Sequence, residues 1–334
     1  MKTKRSLIGL TLILTMGLNA FGTQDSLGNT ETKSETLLIE QTILLIEPRG
    51  VAVDLGNNRA FVVDFGLAAL VSVDLRTGNR TIVSDITTGS GIPFAFPRGI
   101  AVDPANNRAY VVDFSLAALV SIDLSTGNRT LISDSQTGTG VPFVFLRGVA
   151  VDPANNRALV IDFTLDALIS VDLSTGNRTT LSDATTGTGT PFLAPVGVAL
   201  NLANNRAFVT DFALGLISVD LRTGNRIIVS NAQRGTGPVF SLPRGVALDP
   251  ANIQAFVIDG GLGALVSVDL ITGDRTIVSD ATIGTGTSFS VPFHIALDPA
   301  RSRAYVTDLT LNALVSVDLR TGNRTIISTT ATGS

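Results

Sequence analysis

The sequence predicts an all-β protein, a six-bladed β-propeller in which each blade contains four antiparallel strands. Three observations support this prediction. One sequence unit recurs six times with a period of 49 residues, shortened to 48 residues once. Each unit contains four short apolar segments separated by turn sequences, and none of them has the 3.6-residue period of a helix. The chain has 44% hydrophobic residues and no cysteine, so packing must hold it together without disulfides.

The first 22 residues have the pattern of a secretory signal peptide. Lys2, Lys4 and Arg5 form a basic start, and a mostly apolar run follows from residue 7 to residue 21. This run is shorter than the roughly 20 apolar residues that a membrane span needs, which favours a signal peptide over an anchor. We therefore predict cleavage before Thr23, export to a periplasm or to the outside of the cell, and no transmembrane segment in the mature chain.

Residues 23–47 form an N-terminal segment that precedes the first complete unit. The stretch TLLIE at residues 36–40 has the pattern of a fourth strand, which suggests a strand that closes the ring against the last blade. The propeller itself is predicted to span residues 48–328, and residues 329–334 form a tail. The six blades are predicted to begin near Pro48, Pro97, Leu146, Pro195, Pro243 and Pro292.

The second unit illustrates the four strands and their order. Its first strand, Gly99–Asp103, places the small Ala101 where the innermost strands crowd around the axis. The turn PANN leads to a second strand, Arg108–Phe114, and a third strand follows at Ala118–Leu124. The hairpin turn STGN then leads to a fourth strand at residues 129–134, whose polar sequence RTLISD predicts an outer strand exposed to water.

This unit resembles the YWTD repeat of the LDL-receptor propellers. Tyr110–Asp113 (YVVD) and Tyr305–Asp308 (YVTD) stand where that family has an aromatic-x-x-Asp strand. The sequence PRGIAVD is equally similar to the start of an NHL repeat. The resemblance covers residues 48–328 and implies a six-bladed propeller within the wider gluconolactonase-like superfamily. Because these families include receptors, scaffolds and enzymes, the resemblance implies a fold and not one activity.

The blades lack the residues for the hydrolase or lyase chemistry of the gluconolactonase-like enzymes. The resemblance implies that such a site takes a glutamate and other oxygen or nitrogen ligands near the axis. All four glutamates precede the first blade, and His294 is the only histidine. The sequence therefore favours a non-enzymatic protein with no catalytic residue, no metal site and no cofactor. A metal-dependent hydrolase or lyase remains the alternative.

One aspartate occupies the same position, at the end of the second strand, in every blade. A residue that each blade carries suits turn capping and hydrogen bonding between blades better than it suits a single metal site. The six residues are Asp64, Asp113, Asp162, Asp211, Asp259 and Asp308.

The candidate ligand-binding residues lie in the triplet PRG, which begins most of the units. The second position is Arg49, Arg98, Arg147, Val196, Arg244 and Phe293 in chain order, and His294 replaces the glycine of the sixth unit. This position lies where the chain returns to the axis, so four guanidinium groups can surround one channel mouth and bind a carboxylate or phosphate. The alternative is that each arginine pairs with an aspartate, because unpaired arginines near one axis repel each other.

Phenylalanines mark the loops on the same predicted face. Eleven of the 16 follow the second strand or precede the next blade: Phe65, Phe94, Phe96, Phe114, Phe143, Phe145, Phe163, Phe192, Phe212, Phe240 and Phe289. They either plug the blade interfaces or form an apolar rim for a partner.

We therefore predict a monomeric binding or protein-interaction module whose long-loop face meets an unknown protein or a small anionic ligand. Removing the three basic residues of the signal peptide changes the formal charge from −4 to −7. An acidic chain of this kind is unsuited to binding nucleic acid.

Overall fold

The computed structural model describes residues 43–249 and 253–329. Within these ranges the chain forms six four-stranded antiparallel sheets, and each sheet uses four strands that are consecutive in sequence. The described ranges contain no α-helix, and none of their helical turns is long and apolar enough to cross a membrane. The all-β, six-bladed propeller that the repeat predicts is confirmed. The predicted signal peptide and the closing strand at residues 36–40 lie outside the described residues.

The four strands of each blade run from the axis outwards in chain order. The innermost strands are β1 (Pro48–Asp54), β5 (Pro97–Asp103), β9 (Leu146–Asp152), β13 (Pro195–Asn201), β17 (Pro243–Asp249) and β21 (Pro292–Asp298). The second strands are β2 (Arg59–Asp64), β6 (Arg108–Asp113), β10 (Arg157–Asp162), β14 (Arg206–Asp211), β18 (Gln254–Asp259) and β22 (Arg303–Asp308). The third strands are β3 (Ala69–Asp74), β7 (Ala118–Asp123), β11 (Ala167–Asp172), β15 (Gly215–Asp220), β19 (Ala264–Asp269) and β23 (Ala313–Asp318). The outer strands are β4 (Arg80–Ser84), β8 (Arg129–Ser133), β12 (Arg178–Ser182), β16 (Arg226–Ser230), β20 (Arg275–Ser279) and β24 (Arg324–Ser328).

The turn between the first two strands of a blade is a single turn of 3₁₀ helix. In the second blade the carboxylate of Asp103 accepts a hydrogen bond from the N–H of Asn106, and Asn107 adopts a left-handed conformation with φ 51°. Asparagine tolerates this conformation because its short polar side chain bonds locally. The five such turns in the described residues are Leu55–Asn57, Pro104–Asn106, Pro153–Asn155, Leu202–Asn204 and Pro299–Arg301.

The hydrophobic core lies in the seams between neighbouring blades. In the seam between the first and second blades, Phe61 and Leu70 of one sheet pack with Ile100 and Val111 of the next. Equivalent clusters fill the other seams, and one of them joins the sixth blade to the first. Each sheet thus buries both faces only because it has a neighbour on either side, which explains why the unit must be repeated.

A large apolar side chain, three residues before each inner strand, plugs every seam. It is phenylalanine in five seams, at Phe94, Phe143, Phe192, Phe240 and Phe289. In the seam between the sixth and first blades the same position is Leu45, which is fully buried. The plug interpretation is confirmed for these five phenylalanines.

The first residue of each outer strand is an arginine that is buried in five blades and partly buried, at Arg80, in the first, so the expectation of a water-exposed outer strand is wrong at this position. The side chain of Arg129 is 6% exposed, and its Nη1 donates to Ser84 Oγ of the preceding blade across 2.5 Å. Its Nε donates to the carbonyl of Ile92 across 2.7 Å. The seam buries carbonyl groups that need donors, and the arginine supplies them. We call this interaction the seam clasp.

The seam clasp occurs in all six seams. The other five pairs are Arg178–Ser133, Arg226–Ser182, Arg275–Ser230, Arg324–Ser279 and Arg80–Ser328.

Candidate functional site

The second and third residues of the PRG triplets surround a small cavity on the propeller axis. Its volume is about 20 Å³, and we call it the axial cavity. Its lining consists of Arg98, Gly99, Arg147, Gly148, Val196, Gly197, Arg244, Gly245, Phe293 and His294. Five of the six residues predicted to bind ligand therefore line one cavity.

Glycine at the third position lets the inner strands approach each other closely. A Cβ atom on Gly99 would lie 2.4 Å from the carbonyl oxygen of Arg147, and one on Gly197 would lie 2.4 Å from that of Arg244. His294 takes this position in the sixth blade. Its side chain lines both the axial cavity and a wider apolar funnel of about 400 Å³ formed by the inner strands. His294 thus lies at the junction of the two spaces.

Three arginines of the cavity have no acidic partner among the described residues. Arg98, Arg147 and Arg244 make no ion pair within 4.0 Å and donate no side-chain hydrogen bond there. Their Nε atoms are buried without a hydrogen-bond partner. Arg49 differs, because its Nη2 pairs with Glu47. The interpretation that each arginine pairs with an aspartate is therefore wrong.

The aspartates at the ends of the second strands do not pair with these arginines because backbone N–H groups already occupy them. Asp113 is fully buried and accepts hydrogen bonds of 2.8–3.1 Å from the N–H groups of Ala95, Phe96, Ser115 and Leu116. The same arrangement recurs at Asp64, Asp162, Asp211, Asp259 and Asp308. These contacts agree with turn capping. No group of three acidic or histidine side chains in residues 43–249 and 253–329 could hold a metal ion.

Phenylalanine rings take the place of carboxylates beside the guanidinium groups. The Cζ atom of Arg147 lies 4.7 Å from the ring centroid of Phe145 and 4.2 Å from that of Phe163. The Cζ of Arg98 lies 4.9 Å from the centroid of Phe145, and that of Arg244 lies 5.1 Å from Phe293. A ring stabilises the cation through its face, but it accepts none of the in-plane N–H groups. The hydrogen-bonding edges of these three arginines remain unused.

Six phenylalanines, Phe145 and Phe163 among them, form a continuous ladder on the rim of the cavity. Successive ring centroids are 4.2–6.3 Å apart in the order Phe65, Phe96, Phe114, Phe145, Phe163 and Phe212. The ladder runs from the first blade to the fourth. In the fifth and sixth blades the equivalent positions are Leu242, Gly260, Val291 and Leu309. The rim positions therefore carry aromatic rings in the first four blades and none in the last two, where the aromatic residue of the cavity lining is Phe293.

The cavity is positively charged near neutral pH. Burial, together with repulsion from neighbouring arginines, lowers the pKa of Arg98 and of Arg147 to about 10, and burial also lowers the pKa of Arg244. A pKa of about 10 keeps Arg98 and Arg147 protonated at neutral pH, and an arginine side chain is not deprotonated in proteins. Burial lowers the pKa of His294 to about 4, so its imidazole is neutral. Its Nδ1 accepts a long hydrogen bond of 3.4 Å from the N–H of Val51.

The sixth predicted residue, Arg49, lies beside the cavity lining. Its Cζ is 4.6 Å from the centroid of Phe65 and 5.3 Å from that of Phe293. Sequence reasoning missed two contributions: the pairing of Glu47 with Arg49, and the stacking of the rim phenylalanines on the arginines. The sequence carried a signal for the second contribution. The residue just before each inner strand varies from blade to blade, which is typical of a surface position, whereas the plug position is always large and apolar, as a buried position is.

Comparison with known proteins identifies the fold. No protein-family model matches the sequence, and no curated protein sequence matches it. A chain in the crystal structure of a nidogen–laminin complex is 18% identical, with a TM-score of 0.62 over 77% of this chain and 89% of that chain. A Bacteroides thetaiotaomicron protein of unknown function is 15% identical, with a TM-score of 0.64 over 82% of this chain and 69% of its own. An auxiliary nutrient binding protein from the same organism is 14% identical, with a TM-score of 0.62 over the same shares.

Proposed function

We propose that the chain is an exported, non-enzymatic binding module that takes an anionic group of its ligand at the axial cavity. One observation carries this proposal. Arg98, Arg147 and Arg244 are largely buried and charged, and in the described part of the chain they have no acidic group within 4.0 Å and no hydrogen-bond acceptor. Burying a charge is unfavourable unless it is paired and hydrogen-bonded. An anion supplied by a ligand provides both the pairing and the acceptors.

Binding suits the cavity better than catalysis does. The lining offers no carboxylate, and the one imidazole is neutral, has a low pKa and uses its Nδ1 as an acceptor. A general base works best when its pKa is near the working pH, and a metal needs several free oxygen or nitrogen ligands. The capping aspartates do not supply such ligands, because their oxygens accept backbone N–H groups. The hydrolase or lyase alternative is accordingly weaker.

The rim ladder supplies the apolar part of the proposed site. Phe96, one of its members, is 40% exposed, whereas the plug residues are mostly buried. The other ladder rings are partly exposed, and such rings beside buried charges suit a ligand with an anionic end and an apolar body. The structural neighbours include one protein described as nutrient-binding and one chain from a protein–protein complex, which supports binding as a use of this fold.

The proposal is tested with the double variant Arg98→Gln, Arg147→Gln. A matched control, Arg76→Gln with Arg222→Gln, removes the same charge from two exposed hairpin arginines. Binding is measured by calorimetry with benzoate, benzenesulfonate and phenyl phosphate as probes, and stability by thermal unfolding. We expect the control to bind like the original protein, and the double variant to bind at least tenfold more weakly with little change in Tm.

Two results would overturn the proposal: binding of no probe by the original protein, or a double variant that loses stability but keeps its affinity. The second result would make the arginines structural struts between the blades. Export is tested separately by the intact mass of the protein recovered outside the cytoplasm. We expect a mass that lacks residues 1–22.

A further inference from the structure

We propose that the anionic group taken by the axial cavity is a carboxylate carried on a flat apolar body, and not a phosphate or sulfate group. This inference rests on the proposed function and names the ligand class of the same site. It depends on the size of the cavity, the rigidity of its walls and the asymmetry of its mouth.

The size of the axial cavity limits the number of atoms that can enter. A space of about 20 Å³ holds little more than the centre of one water-sized sphere, which needs roughly 10–15 Å³. A planar carboxylate places one oxygen in such a space and keeps the second at its mouth, and the two oxygens match two guanidinium edges. A terminal phosphate or sulfate group brings at least three oxygens in a tetrahedral arrangement, and it needs more room.

The walls of the cavity cannot easily move apart. The glycine ring is formed by inner strands so close that any Cβ there would overlap a neighbouring backbone atom, at 2.4 Å for Gly99 and 2.7 Å for Gly148. His294 occupies the same ring, and Val196 is 6% exposed and fills the place of an arginine. Each inner strand is also paired with a second strand of its own blade. Widening the cavity for a tetrahedral group would require whole blades to shift.

The asymmetric mouth gives the ligand body one preferred side. The ladder of aromatic rings runs over blades one to four, and the guanidinium of Arg147 lies within 4.2–4.7 Å of two of its members, Phe145 and Phe163. In the fifth blade, Gly260 replaces the rim phenylalanine, and a Cβ there would lie 2.6 Å from Nε of Arg244. Arg244 therefore occupies space that a side chain would take. Phe293 stacks on Arg244 itself, whereas the run of successive rings lies on the ladder side. A flat ring joined to the carboxylate matches this arrangement.

The experiment compares five probes on the mature protein by calorimetry at constant ionic strength: benzoate, acetate, phenyl phosphate, benzenesulfonate and chloride. We expect benzoate to bind at least tenfold more tightly than phenyl phosphate or benzenesulfonate, and more tightly than acetate or chloride. Arg147→Gln should abolish the preference for benzoate over the other probes. Phe163→Leu should weaken the binding of benzoate severalfold and leave the binding of acetate unchanged, because benzoate has a ring to stack and acetate has none.

The possible failures are distinguishable from one another. Phenyl phosphate or benzenesulfonate binding as tightly as benzoate, with the same dependence on Arg147, would overturn the carboxylate class but leave the anion site standing. Chloride matching benzoate would likewise overturn it, and would identify a halide site. If no probe binds in a manner that depends on Arg147, both this inference and the proposed function fail.

Discussion

Arg80 in the first blade donates through Nη1 to the hydroxyl of Ser328 in the last blade, across 2.6 Å. The same Nη1 donates to the carbonyl of Thr329 across 2.8 Å, and Ser328 Oγ donates to the carbonyl of Gly78 across 3.0 Å. Each sheet of the described propeller takes its four strands from one unit of the sequence. The ends of the propeller are therefore joined by the same seam clasp that joins its internal blades.

Replacing the clasp serine should destabilise the closing seam as much as an internal one. Ser328→Ala removes an acceptor of the partly buried Arg80 and a donor to Gly78, and an unmet buried polar group costs about 1–3 kcal/mol. Ser182→Ala should have a similar effect between the third and fourth blades. Urea unfolding measures both, with the exposed Ser115→Ala as the control. A silent Ser328→Ala beside a destabilising Ser182→Ala would show that the closing seam is held by other contacts.

Leu45 should be essential to closure although it precedes the first strand. It is fully buried with Val62, Tyr305 and Leu314 in the seam between the sixth and first blades. Truncating a buried leucine to alanine typically costs 2–5 kcal/mol, so Leu45→Ala should lower the free energy of unfolding by about that amount. The neighbouring Leu44 is 39% exposed, and Leu44→Ala serves as the control. Equal unfolding midpoints for the two variants would refute a role for this segment in closure.

Asp113→Asn should be strongly destabilising despite its small change in shape. The carboxylate accepts four backbone N–H groups, whereas an asparagine would turn an amide NH₂ towards some of them. We expect a loss of about 2 kcal/mol or more in the free energy of unfolding. Asp123→Asn, in an exposed hairpin turn, should have a clearly smaller effect. Chemical denaturation of the two variants makes the comparison, and an equal loss would argue against burial as the cause.

The stability of the propeller should fall as the pH decreases from about 6.5 to about 4. Burial lowers the pKa of His294 from 6.5 to about 4, so in this range the unfolded chain binds a proton that the folded chain does not. The charged groups that line the same cavity are Arg98, Arg147 and Arg244. Linkage then makes folding less favourable at lower pH. His294→Gln should remove this part of the pH dependence, as measured by Tm between pH 4 and pH 7; an unchanged slope would contradict the assignment.

The fold was predictable from the sequence because each position of the repeat occurs six times, so the residue types that it accepts can be compared. A large apolar residue at the plug position in all units, from Leu45 to Phe289, indicates a buried site, and the arginine that begins every outer strand carries the same kind of signal. The sequence nevertheless predicts an exposed arginine there, because the serine that it contacts belongs to another blade. A contact about 45 residues away in sequence is visible only once the blades are stacked.

The residues of the candidate site were predictable from the sequence, but the absence of an ion-pair partner for its arginines was not. The PRG triplets placed Arg98, Arg147 and Arg244 around the axis. The abundance of aspartate suggested partners for them, yet Asp113 and its equivalents accept hydrogen bonds from their own loops. Backbone N–H groups of the same loop lie next to the carboxylate and satisfy it, so it has no need of a distant arginine. Composition alone does not reveal this competition. The unpaired charge is therefore a property of the folded molecule.

Because the six seam clasps are alike, no single seam fixes where the chain must begin and end. Since each seam uses an arginine of one blade and a serine of the blade before it, no seam requires a strand contributed from a distant part of the described chain. A gene permuted to begin at any of the long glycine-rich loops, such as the one that contains Gly138, would encode the same set of clasps. New termini could then be placed beside any chosen blade, including the blade opposite the aromatic ladder.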